Sequence, residues 1–139
     1  ATIEYKGQII EFYTCHMNLP TNKEEKMSDN IQRILKRSQT DNLKILMGDF
    51  NTDAINNPED YKKILSQGLY DTYTDAIEKD SGITVGGNID GWSKSKEDKR
   101  IDYIFSNKKI KVLSSKVIFN GKNHPVVSDH YGLEVILDM

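Results

Sequence analysis

With 139 residues, 37% hydrophobic and 29% charged side chains, nine Gly and three Pro, the chain fits one globular domain, which excludes disorder and fibrous repeats. A formal net charge of −2 weighs against a protein whose affinity rests mainly on neutralising nucleic-acid phosphates. Its apolar runs are too short to span a bilayer, no apolar leader opens it, and the single Cys15 suits a reducing compartment, so the expected location is the cytoplasm, with no membrane partner.

Residues 2–6 and 8–16 are rich in β-formers around Gly7 and predict a hairpin whose second strand ends at His16. Thr21 and Glu24 form a capping box, followed by Met27, Ile31, Ile34 and Leu35 at helical spacing to about residue 38. Residues 43–47 are apolar without alternation, the pattern of a strand buried on both faces, and Gly48-Asp49-Phe50-Asn51 follows at its C-terminal end. Pro58 in a first turn, Tyr61, Ile64 and Leu65 on one face and Gly68 beyond predict a second helix, and residues 71–78 a further helical turn. Residues 81–99 are rich in Gly, Lys, Ser and Asp, with Trp92 as their one large aromatic, and predict a long surface loop of the kind that carries function. Three strands follow at 101–106, 112–119 and 132–137, the last two separated by a loop at 121–129.

Three carboxylates with polar neighbours fall at strand ends: Asp49 with Asn51, Asp102 next to Arg100, and Asp129 beside His130. Mg²⁺ takes oxygen ligands and keeps several waters, so one or two carboxylates and an amide suffice, a chemistry that Asp49, Asn51 and Asp129 supply. Hydrolysis of a phosphoester also needs an activated water and a proton for the leaving oxygen, for which His16 and His130 are the available groups. Asp102 is the natural carboxylate to hold one ring nitrogen of His130. Each run has a structural reading as well. Gly-Asp-Phe-Asn reads as a turn, Asp129-His130 as a cap on the final strand, His16 as structural, and Asp102 as a surface charge paired with Arg100.

Residues 12–17, Phe-Tyr-Thr-Cys-His-Met, resemble the histidine-ended strand of the endonuclease/exonuclease/phosphatase superfamily, the deoxyribonuclease I-like enzymes. Residues 45–51, Ile-Leu-Met-Gly-Asp-Phe-Asn, are similar to its most recognisable motif, and Arg100-Ile101-Asp102-Tyr103 and Ser128-Asp129-His130 complete the series in order. The resemblance implies an α+β sandwich of four layers, with helices outside two stacked sheets. Residues 1–139 would supply its C-terminal half, mostly antiparallel sheet with helices on one face. It further implies that Asp49 orients or deprotonates the attacking water and that Asn51 holds the scissile phosphate. Asp129 would bind Mg²⁺ or Mn²⁺ together with Asp49 and Asn51. His130, paired with Asp102, would contact the phosphoryl oxygen, and His16 would assist the leaving group; whether Asp49 or His130 is the base stays open.

Family members carry an Asn and a metal-binding Glu ahead of the histidine strand, and neither motif is present here. The expectation is therefore a C-terminal portion of a longer protein, nearly inactive alone. One sheet face would be uncovered and would take the other half or a second copy as partner.

The run from Ile83 to Trp92, leading into Arg100, resembles bacterial family members that act on small phosphorylated molecules, a maltose-phosphate phosphatase among them. Trp92 either stacks on a sugar ring or pins the loop to the core, and Arg100 is a candidate substrate contact. The expected activity is a metal-dependent phosphatase acting on a sugar phosphate or similar monoester. Two alternatives stand beside it: a nuclease acting on DNA or RNA, marked by strong salt dependence, and a non-catalytic half-domain that pairs with another chain.

Overall fold

Two strands open the chain, β1 (Thr2–Tyr5) and β2 (Gln8–His16), and they pair antiparallel as the sequence predicts. Lys6 (φ 50°) and Gly7 (φ 77°) between them are both left-handed, a two-residue turn whose twist matches that of the strands. A computed structural model describes residues 1–17, 27–86, 89 and 97–139; Thr21 and Glu24, the capping-box pair, lie outside these.

β2 runs parallel to β3 (Leu43–Asp49), and a parallel pair needs a crossover, which α1 (Met27–Arg37) supplies. After α2 (Pro58–Leu65), β4 (Tyr70–Asp71), α3 (Thr72–Asp75) and β5 (Glu78–Lys79), the chain returns as β6 (Asp102–Ser106), antiparallel to β3. The first sheet has the order β1-β2-β3-β6-β4. A second sheet, β5-β7-β8, is built from β7 (Lys111–Ile118) and β8 (Gly132–Asp138) beside β5. The chain is thus α+β, with three of the four pairings in the first sheet antiparallel. The strands divide between two sheets where the sequence leads one to expect a single sheet, because β7 pairs with β5 and β8 and not with β6. Among the described residues no helix is long and apolar enough to cross a membrane.

The main core joins Ile31 of α1 and Ile64 of α2 to Leu46, Phe50, Tyr103 and Phe105. Phe50 meets Phe105 edge-on at 5.0 Å, and Tyr103 stacks on Phe105 at 4.9 Å. Burying each such side chain contributes roughly 1.5–3 kcal/mol. Leu46 and Phe105 sit opposite each other in the β3–β6 register, as do Gly48 and Tyr103, so the helices cover that face of the sheet and strand alternation turns Asp49 and Asp102 to the other.

Gly48 lies within β3 and forms no turn. A Cβ there would stand 2.0 Å from the carbonyl oxygen of Cys15, and its φ is 133°. Glycine is required because β2 and β3 approach closely at this register. The segment at 81–99 likewise departs from a pure surface loop. Thr84, Val85 and Ile89 are buried, and Val85 bridges Lys99 in an antiparallel pair. The helical turn expected within 71–78 is α3, residues 72–75, set between the short strands β4 and β5.

Candidate active site

The strand register sets three chemically active side chains in one row. His16 ends β2, Asp49 ends β3 and Asp102 begins β6; His16 is paired with Asp49 and Asp49 with Asp102. Directly paired residues share a face, so all three point away from the helices. The loop after β7 then brings His130 onto the row, with Nδ1 2.9 Å from Asp102 Oδ2. A carboxylate only accepts hydrogen bonds, so in this contact Nδ1 carries the hydrogen. One oxygen each from Asp49 and Asp102 and one ring nitrogen of His130 lie within 4.8 Å of one another.

Backbone contacts fix the ends of these strands. The N–H of Asn51 donates to Asp49 Oδ1 at 2.7 Å, the Asn51 side-chain amide donates to the Met17 carbonyl at 2.7 Å, and the Met17 N–H donates to the Asp49 carbonyl at 2.8 Å. Asn51 holds a left-handed φ of 49° to do this, a conformation asparagine tolerates better than most residues. Burial pushes the Asp49 carboxyl above the ordinary carboxylate range. The Asn51 N–H pulls it back, nearby Asp102 pushes it up further, and the two histidines oppose that. His16 Nε2 stands 3.5 Å from Asp49 Oδ2 and is largely exposed. Asp49 thus lies between an open histidine and one oriented by its own carboxylate.

Of the residues singled out in the sequence, His16, Asp49, Asn51, Asp102 and His130 come together. Asp129 does not join them. It is exposed, its Oδ1 accepts a hydrogen bond from the Ser128 hydroxyl at 3.1 Å, and among the described residues the grouped ligand atoms are those of Asp49, Asp102 and His130. Two carboxylates and an imidazole form a donor set that suits a divalent ion tolerant of nitrogen as well as oxygen. Trp92 lies outside the described residues.

Arg100 is a correction. Its guanidinium is buried and pairs with Asp71 Oδ2 at 2.7 Å, and it lies 4.6 to 5.1 Å from the ring centroids of Tyr73, Tyr103 and Tyr61. Burial works against its charge, but Asp71 overrides this and holds the pKa above the ordinary arginine value. Asp71 also accepts from the Tyr61 hydroxyl at 2.6 Å and caps α3 by accepting from the Tyr73 N–H. Buried and paired with Asp71, the guanidinium serves the fold as a structural cation.

Two residues escaped the sequence reading. Asp71 lies 29 positions from its partner and in no motif. Thr84 is fully buried, and its hydroxyl accepts from the N–H groups of Ile101 and Asp102 at 3.2 and 3.3 Å. No local pattern marks Asp71, and Thr84 falls within the run from Ile83 to Trp92 without a role of its own.

Comparison with known proteins agrees with this geometry. The sequence profile of the Endonuclease/Exonuclease/phosphatase family matches residues 3–130, while no curated protein matches the chain. A family protein from Leptotrichia buccalis C-1013-b is 62% identical, with a TM-score of 0.92, over 99% of this chain and 52% of its own. A mannosyl-6-phosphatase from Bacteroides thetaiotaomicron is 24% identical, with a TM-score of 0.71, over 96% of this chain and 53% of its own. A humanized D. rerio TDP2 shares the fold at 15% identity and a TM-score of 0.65, over 99% of this chain and 59% of its own. The chain spans about half the length of the first two of these relatives. A profile that runs from the first strand to the histidine closing the site makes this chain a member of the endonuclease/exonuclease/phosphatase family.

Proposed function

We propose that the chain forms part of the catalytic centre of a divalent-metal-dependent phosphoester hydrolase acting on a small phosphorylated substrate such as a sugar phosphate. The observation that carries this reading is the row of His16, Asp49 and Asp102 with His130 closing on Asp102 at 2.9 Å. Asp49, its carboxyl raised by burial, takes the proton of an attacking water. His130, held through Nδ1, turns its other ring nitrogen toward a phosphoryl oxygen. His16, open at the end of β2, gives a proton to the leaving oxygen. The carboxylates of Asp49 and Asp102 would hold Mg²⁺ or Mn²⁺, which when bound neutralises charge building on the phosphate.

A monoester is favoured over nucleic acid by the net charge of −2 and by the fold shared with a mannosyl-6-phosphatase. The partner we propose is the other half of the domain, since the chain covers 52% of the Leptotrichia relative.

Mixing the chain with the remaining half of the Leptotrichia relative tests the whole reading. Mg²⁺-dependent release of phosphate from mannose 6-phosphate is expected from the mixture, only traces from either part alone, and none after Asp49→Ala. A complex that forms and cleaves no phosphate ester would overturn the assignment. Cleavage of DNA or RNA in preference to the monoester would move it to the nuclease reading.

A further inference from the structure

We propose that Thr84 is a positioning residue that sets the Asp102–His130 pair by gripping the two chain segments that carry it. This rests on the reading of that pair as catalytic. Asp102 starts β6, and His130 closes a loop 28 residues later. Asp102 lies in the first sheet and His130 in the loop just ahead of β8 of the second, and Thr84 ties the two segments together.

Its side-chain hydroxyl accepts from the Ile101 N–H at 3.2 Å and the Asp102 N–H at 3.3 Å. Its carbonyl accepts from the N–H of Tyr131, the residue after His130, at 2.8 Å. Its own N–H donates to the Lys99 carbonyl at 2.9 Å. Thr84 is fully buried, so water does not replace these partners and each donor left behind would be unsatisfied.

A hydroxyl oxygen has two lone pairs, and here both face main-chain donors flanking the Asp102 side chain. Threonine suits the place better than serine in one respect: its branched Cβ restricts χ1 and so aims the hydroxyl. Valine has the same shape but no acceptor. The loss would be felt at the dyad, because catalytic groups tolerate displacements of only about half an ångström before their mutual geometry suffers. When Asp102 moves off Nδ1, nothing in the contact keeps the hydrogen on that nitrogen.

The tautomer of His130 therefore reports the role of Thr84 directly. Long-range ¹H–¹⁵N spectra of the full chain, recorded where the ring is neutral, are expected to show His130 mainly as Nδ1–H in the wild type and in Thr84→Ser. Thr84→Val is expected to change the majority form to Nε2–H, with the rest of the amide spectrum still dispersed. A folded Thr84→Val that keeps the Nδ1–H form overturns the proposal, and so does a Thr84→Ser that loses it as completely as valine does.

If the valine variant does not fold, the wild type decides through amide exchange. The hydrogens of Ile101, Asp102 and Tyr131 are expected to exchange within about threefold of one another, as one opening unit; rates more than tenfold apart overturn the proposal. Neither measurement needs turnover. Absence of phosphate-ester hydrolysis in the complemented protein would count against the phosphoesterase reading alone and leave these spectra to decide the role of Thr84.

Discussion

Asp49 is placed where its charge is useful for chemistry and costly for the fold. Burial and the neighbouring Asp102 carboxylate both favour its neutral form, against the Asn51 N–H and the two histidines. A carboxyl whose folded pKa lies above its unfolded value binds protons more readily when folded, so stability falls as pH rises through that window, and at neutral pH the ionised group is a net burden. Asp49→Asn removes the burden and keeps an oxygen to accept from the Asn51 N–H. In the absence of divalent metal its melting temperature at pH 7 is expected to rise by about 1–2 °C, the size a few tenths of a kcal/mol gives after allowing for solvent screening. Activity in the complemented protein should vanish at the same time. A lower melting temperature for Asp49→Asn would mean that the carboxylate is a net anchor of the fold.

Glu11 shows how one side chain joins two elements. It lies on β2, and its Oε1 accepts from Ser38, Thr40 and Asn42 of the α1–β3 connection at 2.6 to 2.8 Å, while its Oε2 accepts from the Tyr13 hydroxyl at 2.6 Å. Ser38 first, then Thr40 and Tyr13, hold its carboxyl down at about 2 against an ordinary 4.5. Stability from this group is fully present above about pH 4.5 and is lost as pH falls toward 2. Glu11→Gln is expected to cost about 1.5–3 kcal/mol at pH 7, the range for hydrogen bonds to a charged group. In urea titrations at pH 7, 4.5 and 3, the gap between wild type and variant should narrow at the lowest pH; a constant gap would assign the effect to packing. β3 was legible from its unbroken apolar run, and α1 and α2 from apolar residues at helical spacing, Ile31 and Ile64 among them. The Glu11 cluster was not, since three of its four donors lie 27 to 31 residues away and look like ordinary loop residues. Arg100 was misread for the same reason: beside a motif it resembles a ligand contact, and only the fold reveals Asp71 opposite it.

Across the molecule, the order of His16, Asp49, Asp102 and His130 was readable because their motifs are local, whereas the division into two sheets was not, because it depends on which distant strands pair. That division leaves β8 as the outer strand of β5-β7-β8, with β7 on one side and, among the described residues, no strand on the other. An open edge of seven residues is a template for another strand. Apolar surface accompanies it: Ile3 and Tyr5 are each 46% exposed, and their pairings with Ile10 and Gln8 put them on the same face as His16. By itself the chain is therefore expected to self-associate, with a sedimentation mass above its 15.9 kDa at high concentration. Ile136, 49% exposed on β8, offers a way to block it, since a lysine on an edge strand opposes pairing. Ile136→Lys should sediment as a monomer, and so should wild type once the Leptotrichia half is bound to it, as a one-to-one complex. A wild-type chain that stays monomeric at high concentration would show that the open edge and the exposed apolar residues do not suffice to recruit a partner.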